Sequence, residues 1–221
     1  MAATEPGPSA PLPPVLPSPA APGAWQAGWW LAAQRCPSPN HGPRPPGEEI
    51  ALVVLHSISL PPGQYGGDAI ERLFTNQLDW DAHPYYGQIR GLQVSAHFLV
   101  RRDGRVLQFV SCDHRAWHAG ASHWRGRDNC NDWSIGIELE GLEGETFEPA
   151  QYTVLARLLA DIAQAYPVRD LAGHEHVAPL RKRDPGPGFD WQALQAQALW
   201  PRHWCAAEPA MARPGGPKPA A

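Results

Sequence analysis

The chain has 221 residues, 43% of them hydrophobic, with a formal net charge of −4 and a pI near 6.2. That length holds one domain with tails or at most a small domain pair. The acidic balance argues against a nucleic-acid surface or a polybasic membrane patch.

Residues 1–24 are dominated by Pro, Ala, Gly and Ser and are expected to form a disordered tail, because they cannot bury enough apolar surface to fold. They have no basic n-region and no continuous apolar h-region, so the expectation is a chain without a Sec signal peptide. No stretch approaches the ~20 apolar residues of a membrane span. "IALVVLHS" is a continuous apolar run ending near His56, the pattern of a strand buried on both faces. A short helix is expected over Asp68 to Phe74.

"VSAHFLVRRDGRVLQFV" reads as a hairpin, with Asp103-Gly104 supplying the turn. In "SIGIELEG" the apolar Ile135, Ile137 and Leu139 alternate with Ser134, Gly136, Glu138 and Glu140. The second face lies either in water or at a cleft. Gly136 favours a cleft, since glycine inside a strand often marks a close approach by a ligand or another backbone. Tyr152, Leu155, Leu159, Ile162 and Tyr166 step by three and four, predicting an amphipathic helix over 149–166 that Pro167 ends. A last helix is expected from Asp190, as N-cap, to about Trp200. Residues 206–221 read as a second disordered tail. The result is an α/β domain, residues 25–205, around one central mixed sheet flanked by helices.

The segment "GHEHVAPLRKRDPGPGFDW" crowds imidazole, acid and base into a proline-stiffened loop. The proline after Asp184 biases it to an extended backbone and restricts the carboxylate. His56 and His174, presented from strand ends, together with Asp184 match a catalytic zinc site whose fourth position is open. His97, His118, His123 and His176 compete as ligands; His97 alternates with apolar neighbours and reads as a buried structural residue. The four cysteines, at 36, 112, 130 and 205, form no C-x-x-C pair, and their scatter fits a reducing compartment better than a disulfide scaffold.

"VLHSISLPPGQYGG", "VSAHFLVRRDG", "RAWHAG", "RDNCNDWSIGIELEG" and "GHEHVAPLRKRDPGPGFDW" occur in order over Trp29 to Trp191. Together they resemble the zinc-dependent type-2 N-acetylmuramoyl-L-alanine amidases, relatives of the peptidoglycan recognition proteins. Within that family the likeness is to the cytoplasmic amidases that act on 1,6-anhydro-N-acetylmuramyl-L-alanine bonds in peptidoglycan recycling. The resemblance implies Zn2+ held by His56, His174 and Asp184, with Glu138 as acid/base carboxylate and Lys182 as a cation beside the reacting carbonyl. It also places Trp117 and His118 at the border of the substrate groove. Arg181 and Arg183 flank Lys182, and extended alternation points them away from the metal.

Two positions depart from the family: Ser57 stands where Asn is usual, and Gln93 where Arg is expected. The implied substrate is an anhydro-muropeptide, with no nucleic acid, membrane or obligate protein partner. A general cell-wall amidase and a metal-free peptidoglycan-binding module are the alternatives.

Overall fold

The computed structural model describes residues 24–197 and the short strand Cys205–Ala206. Apart from Ala24 and Ala206, the two expected tails lie outside the described residues. Seven strands form one mixed sheet, in the order Cys205–Ala206, Asp170–Gly173, Leu52–Ile58, Ser134–Glu140, Phe98–Val100, Val106–Gln108 and Gln34–Arg35. Every neighbouring pair is parallel except the hairpin Phe98–Val100 with Val106–Gln108. The hairpin turns at Gly104, whose φ of +85° suits glycine.

Leu52–Ile58 is buried on both faces, as its unbroken apolar run requires. Val53 and Leu55 pack with Ile135 and Ile137 against Leu155, Leu159 and Ile162 of helix Pro149–Ala165. Leu52 and Val54 face a smaller cluster with Ala119, Cys130, Trp133 and Val177. The helix begins at a proline, and the Glu148 amide ahead of it donates to Gln151 Oε1 at 2.9 Å. It ends one residue short of the expected 166: Tyr166 is already extended, the backbone that a following proline favours. Trp25 closes the first core edge-on against Phe98 and Tyr166.

Helix Ala69–Phe74 follows Asp68 as expected, and helix Trp191–Ala196 is capped by the Asp190 side chain. Positions 198–200, where the latter was expected to continue, lie outside the described residues. Two short helices carry no clear sequence period, Pro84–Gln88 and His174–Val177. The first starts from His83, whose ring accepts from the Tyr85 amide, with proline in its first turn. No helix among the described residues is long and apolar enough to cross a membrane.

Glu140 does not lie on a solvated strand face. It is 2% exposed and paired with Arg101 at 2.7 Å; the same guanidinium also reaches Glu71 and the Gly67 carbonyl. Removing one partner of such a pair strands a buried charge, so Arg101→Ala is expected to cost about 3–5 kcal/mol in urea unfolding. A loss below 1 kcal/mol would show that Glu140 is easily resolvated.

Candidate metal centre and cleft

Parallel pairing sets the positions. His56 lies opposite Glu138, and Gly173 opposite Leu55, so His174 emerges level with His56. Near-neighbours in parallel register project to one face, which puts His56 and Glu138 side by side towards the carboxyl ends of the strands. Ligand sites in parallel sheets lie at these ends. Gly173 lets the third group approach: a Cβ there would stand 2.9 Å from Pro185 Cδ and 3.1 Å from His176 Nδ1. Pro185 therefore packs onto the strand end and brings Asp184 with it, aided by the Glu175 amide donating to the Asp184 carbonyl at 2.9 Å.

His56, His174 and Asp184 offer ligand atoms that all lie within 4.8 Å of one another, and no other such His/Cys/Asp/Glu group occurs among the described residues. His56 Nδ1 is 2.9 Å from His174 Nδ1 and 3.2 Å from Asp184 Oδ2; His174 Nδ1 is 3.1 Å from the same oxygen. The far nitrogens are engaged elsewhere, His174 Nε2 at 3.2 Å from the Ala119 carbonyl and His56 Nε2 at 2.9 Å from His118 Nδ1. A carbonyl only accepts, so His174 carries its proton on Nε2 and presents a bare Nδ1 to Asp184. Facing lone pairs of this kind call for a cation. Two imidazoles and one carboxylate, with a cleft alongside, fit a zinc ion that keeps an open position.

His56 is 1% exposed, and burial, with His174 beside it, lowers its pKa to about 4. The competing histidines go elsewhere. His97 is fully buried, accepts from the Gly136 amide and bonds the His114 carbonyl; burial lowers its pKa to about 3. His176 accepts from the Gly173 amide at 2.8 Å and caps its own helix. His123 pairs with the exposed Asp128.

Glu138 is half-buried, with Oε2 sealed from solvent and without a hydrogen-bond partner. Burial pushes its carboxyl well above the ordinary range; Asp184 adds to the rise and Lys182 opposes it. The cleft over these groups has a volume of about 500 Å3. Its lining joins His56, Glu138, His174 and Asp184 to Trp117, His118 and an apolar set, Tyr85, Ile89, Leu92 and Val94. Ser57 lines it, whereas Gln93 is exposed and outside the lining.

Lys182 and Asp184 are half-buried and Arg181 and Arg183 exposed, the alternation expected of the loop. All three cations nonetheless border the cleft. Arg181 is anchored, donating to the Ala119 carbonyl at 2.6 Å and the Ala121 carbonyl at 2.9 Å.

The close approach at Gly136 is neither a ligand nor a backbone but the His118 ring, 2.4 Å from where a Cβ would stand. Sequence reasoning missed Asn131, whose Oδ1 accepts from the amides of His118 and Ala119 at 3.1 and 2.8 Å. It thereby pins the loop that meets both imidazoles. An asparagine in a single 3-10 turn, Cys130–Asp132, carries no periodic signal, so only the folded structure reveals it.

Comparison with known proteins agrees with this geometry. The sequence model of the N-acetylmuramoyl-L-alanine amidase family, Amidase_2, matches residues 46–187. The chain is 48% identical over 178 residues to the 1,6-anhydro-N-acetylmuramyl-L-alanine amidase AmpD of Salmonella typhimurium (strain SL1344), covering 80% of this chain and 95% of that protein. A crystal structure of a selenomethionine derivative of AmpD superposes with a TM-score of 0.76 at 49% identity, covering 78% of this chain and 97% of the other. The amidase AmiD of E. coli, solved with its substrate anhydro-N-acetylmuramic acid-L-Ala-D-gamma-Glu-L-Lys, gives a TM-score of 0.51 at 31% identity, over 72% of this chain and 62% of that one. With the family's sequence model covering the five inner strands of the sheet, the cleft and all three converging groups, this chain belongs to the N-acetylmuramoyl-L-alanine amidase family.

Proposed function

We propose that the chain is a zinc-dependent amidase that hydrolyses the bond between the lactyl group of 1,6-anhydro-N-acetylmuramic acid and L-alanine in recycled peptidoglycan fragments. The observation that carries the reading is the convergence of His56 Nδ1, His174 Nδ1 and Asp184 Oδ2 beside the unpartnered Glu138 carboxyl. The activity for which the 48%-identical AmpD relative is named supports the anhydro-muramyl substrate, as does the ligand in the AmiD complex.

His56, His174 and Asp184 would hold the zinc. When bound, zinc supplies a Lewis acid that activates water at neutral pH and polarises an amide carbonyl. Glu138 takes the proton from the attacking water and returns it to the leaving amine, work suited to a carboxyl whose pKa lies well above the ordinary range. Lys182 offers its ammonium to the oxygen that gains negative charge as the carbonyl becomes tetrahedral. Trp117 and His118 border the groove that receives the sugar and peptide. The reading includes a cytoplasmic site of action, where recycled fragments would be met.

Purified protein is expected to bind about one zinc per chain and to lose activity on chelation, with activity restored by zinc. Given anhydro-muropeptide and intact sacculi side by side, it should release free peptide mainly from the former, read by mass spectrometry. Preference for sacculi would make it a general cell-wall amidase. Binding of muropeptide without cleavage by zinc-loaded protein would make it a recognition module.

A further inference from the structure

We propose that His118 is a positioning residue that, anchored by Ser134, fixes the His56 imidazole in the tautomer whose Nδ1 is free to take the metal. The inference deepens the zinc reading above and rests on it.

The direction of the hydrogen bonds follows from the far end. Ser134 Oγ lies 2.5 Å from the Cys130 carbonyl, which only accepts, so the single hydroxyl proton points there. The 3.2 Å contact between Ser134 Oγ and His118 Nε2 then requires the oxygen to accept and the ring to donate. A neutral imidazole with its proton on Nε2 has a bare Nδ1. That atom is 2.9 Å from His56 Nε2, which must therefore donate. His56 is left with a bare Nδ1 facing His174 and Asp184.

The seat of the ring is built for it. Ser134, Gly136 and Glu138 share one face of the same strand, and each does something different there. Ser134 holds the far nitrogen, while Gly136 clears the space, since a Cβ would stand 2.4 Å from His118 Cγ. Glu138 lies beside His56. Both His118 nitrogens are thus engaged by protein, so at the groove the residue contributes a wall and not a free hydrogen bond. Residues that orient metal-bound imidazoles in this way typically change metal affinity 10–100-fold.

The test measures zinc affinity by competition with a chromophoric chelator, and histidine tautomers in metal-free protein by 15N NMR. His118→Phe keeps a ring but removes the acceptor; it is expected to weaken zinc ~10–100-fold and to leave His56 in mixed tautomers. His118→Asn restores an acceptor near the Nδ1 position and should recover part of the loss. Ser134→Ala should free the His118 tautomer and weaken zinc less than His118→Phe. Equal losses in His118→Phe and His118→Asn would reduce the residue to space filling and overturn the proposal, as would wild-type affinity in His118→Phe. If His118→Phe does not fold, Ser134→Ala decides alone: unchanged affinity with an unchanged His118 tautomer overturns it. Failure of the wild-type protein to bind zinc would sink the metal reading, while tautomers in the metal-free protein would still read this one.

Discussion

Glu138→Gln is expected to lower kcat by ~10²–10⁴-fold while the protein keeps its zinc and its fold. Glutamine matches the shape of glutamate but cannot take a proton from water or give one to the leaving amine. Glu138 lies outside the trio of converging ligand atoms, so zinc content should stay near one per chain. A variant that loses zinc along with activity would make Glu138 a ligand.

The same substitution carries a stability signature in metal-free protein. The folded pKa of Glu138 lies well above its ordinary value of 4.5, chiefly from burial, then from Asp184. Ionisation is therefore harder in the folded state than in the unfolded one, and Glu138 costs stability as pH rises above about 4.5 until the folded pKa is passed. Glutamine never ionises. Glu138→Gln should match the wild type in thermal midpoint at pH 4 and exceed it at pH 7. A variant less stable at both pH values would show that the carboxylate is better solvated than its buried Oε2 implies. Gain in stability with loss of rate is the trade expected if this buried, unpartnered carboxyl does the proposed proton transfer.

Lys182→Ala should lower kcat by ~10²–10³-fold and raise KM less, the pattern of an interaction made mainly in the transition state. Lys182 is half-buried in the lining of the cleft, close enough for its charge to act on both Glu138 and His56. Lys182→Arg restores the charge without the compact ammonium and should rescue only partly. Arg183 is the clean control: it is exposed, and alanine there should change the rate little. Arg181 is not, because its guanidinium holds the Ala119 and Ala121 carbonyls, and Ala119 also receives His174 Nε2. Arg181→Ala is therefore expected to disturb the loop although alternation alone predicted no effect. Steady-state kinetics on anhydro-muropeptide, with zinc content measured for each variant, separates the cases. If Lys182→Ala changes only KM, the lysine holds substrate and does nothing for the oxyanion.

The main strands and helices were legible because each buries a face, and burial writes a period into the chain. The run at 50–57, the alternation at 134–140 and the three-four stepping at 149–166 all reappear within two residues of their expected bounds. Helix His174–Val177 was not legible. Four residues are too few to show a period, and its start is set by Gly173 and the His176 ring.

The candidate ligands were legible as residue types at stiff or terminal positions, and the family motifs chose among them. The sequence by itself determined which side chains were available: two imidazoles, a proline-restrained carboxylate, and a glutamate on the face opposite a hydrophobic one. Only the tertiary structure decided how they are used. Parallel pairing sets His56 beside Glu138 although they lie 82 positions apart in sequence, and the loop at 117–119 supplies one partner to the far nitrogen of each imidazole. It also turned Glu140 into a buried ion pair while Glu138, two residues away on the same face, was left without one. Alternation states which face a residue takes. What waits on that face depends on chain segments distant in sequence, and a local pattern holds no record of them.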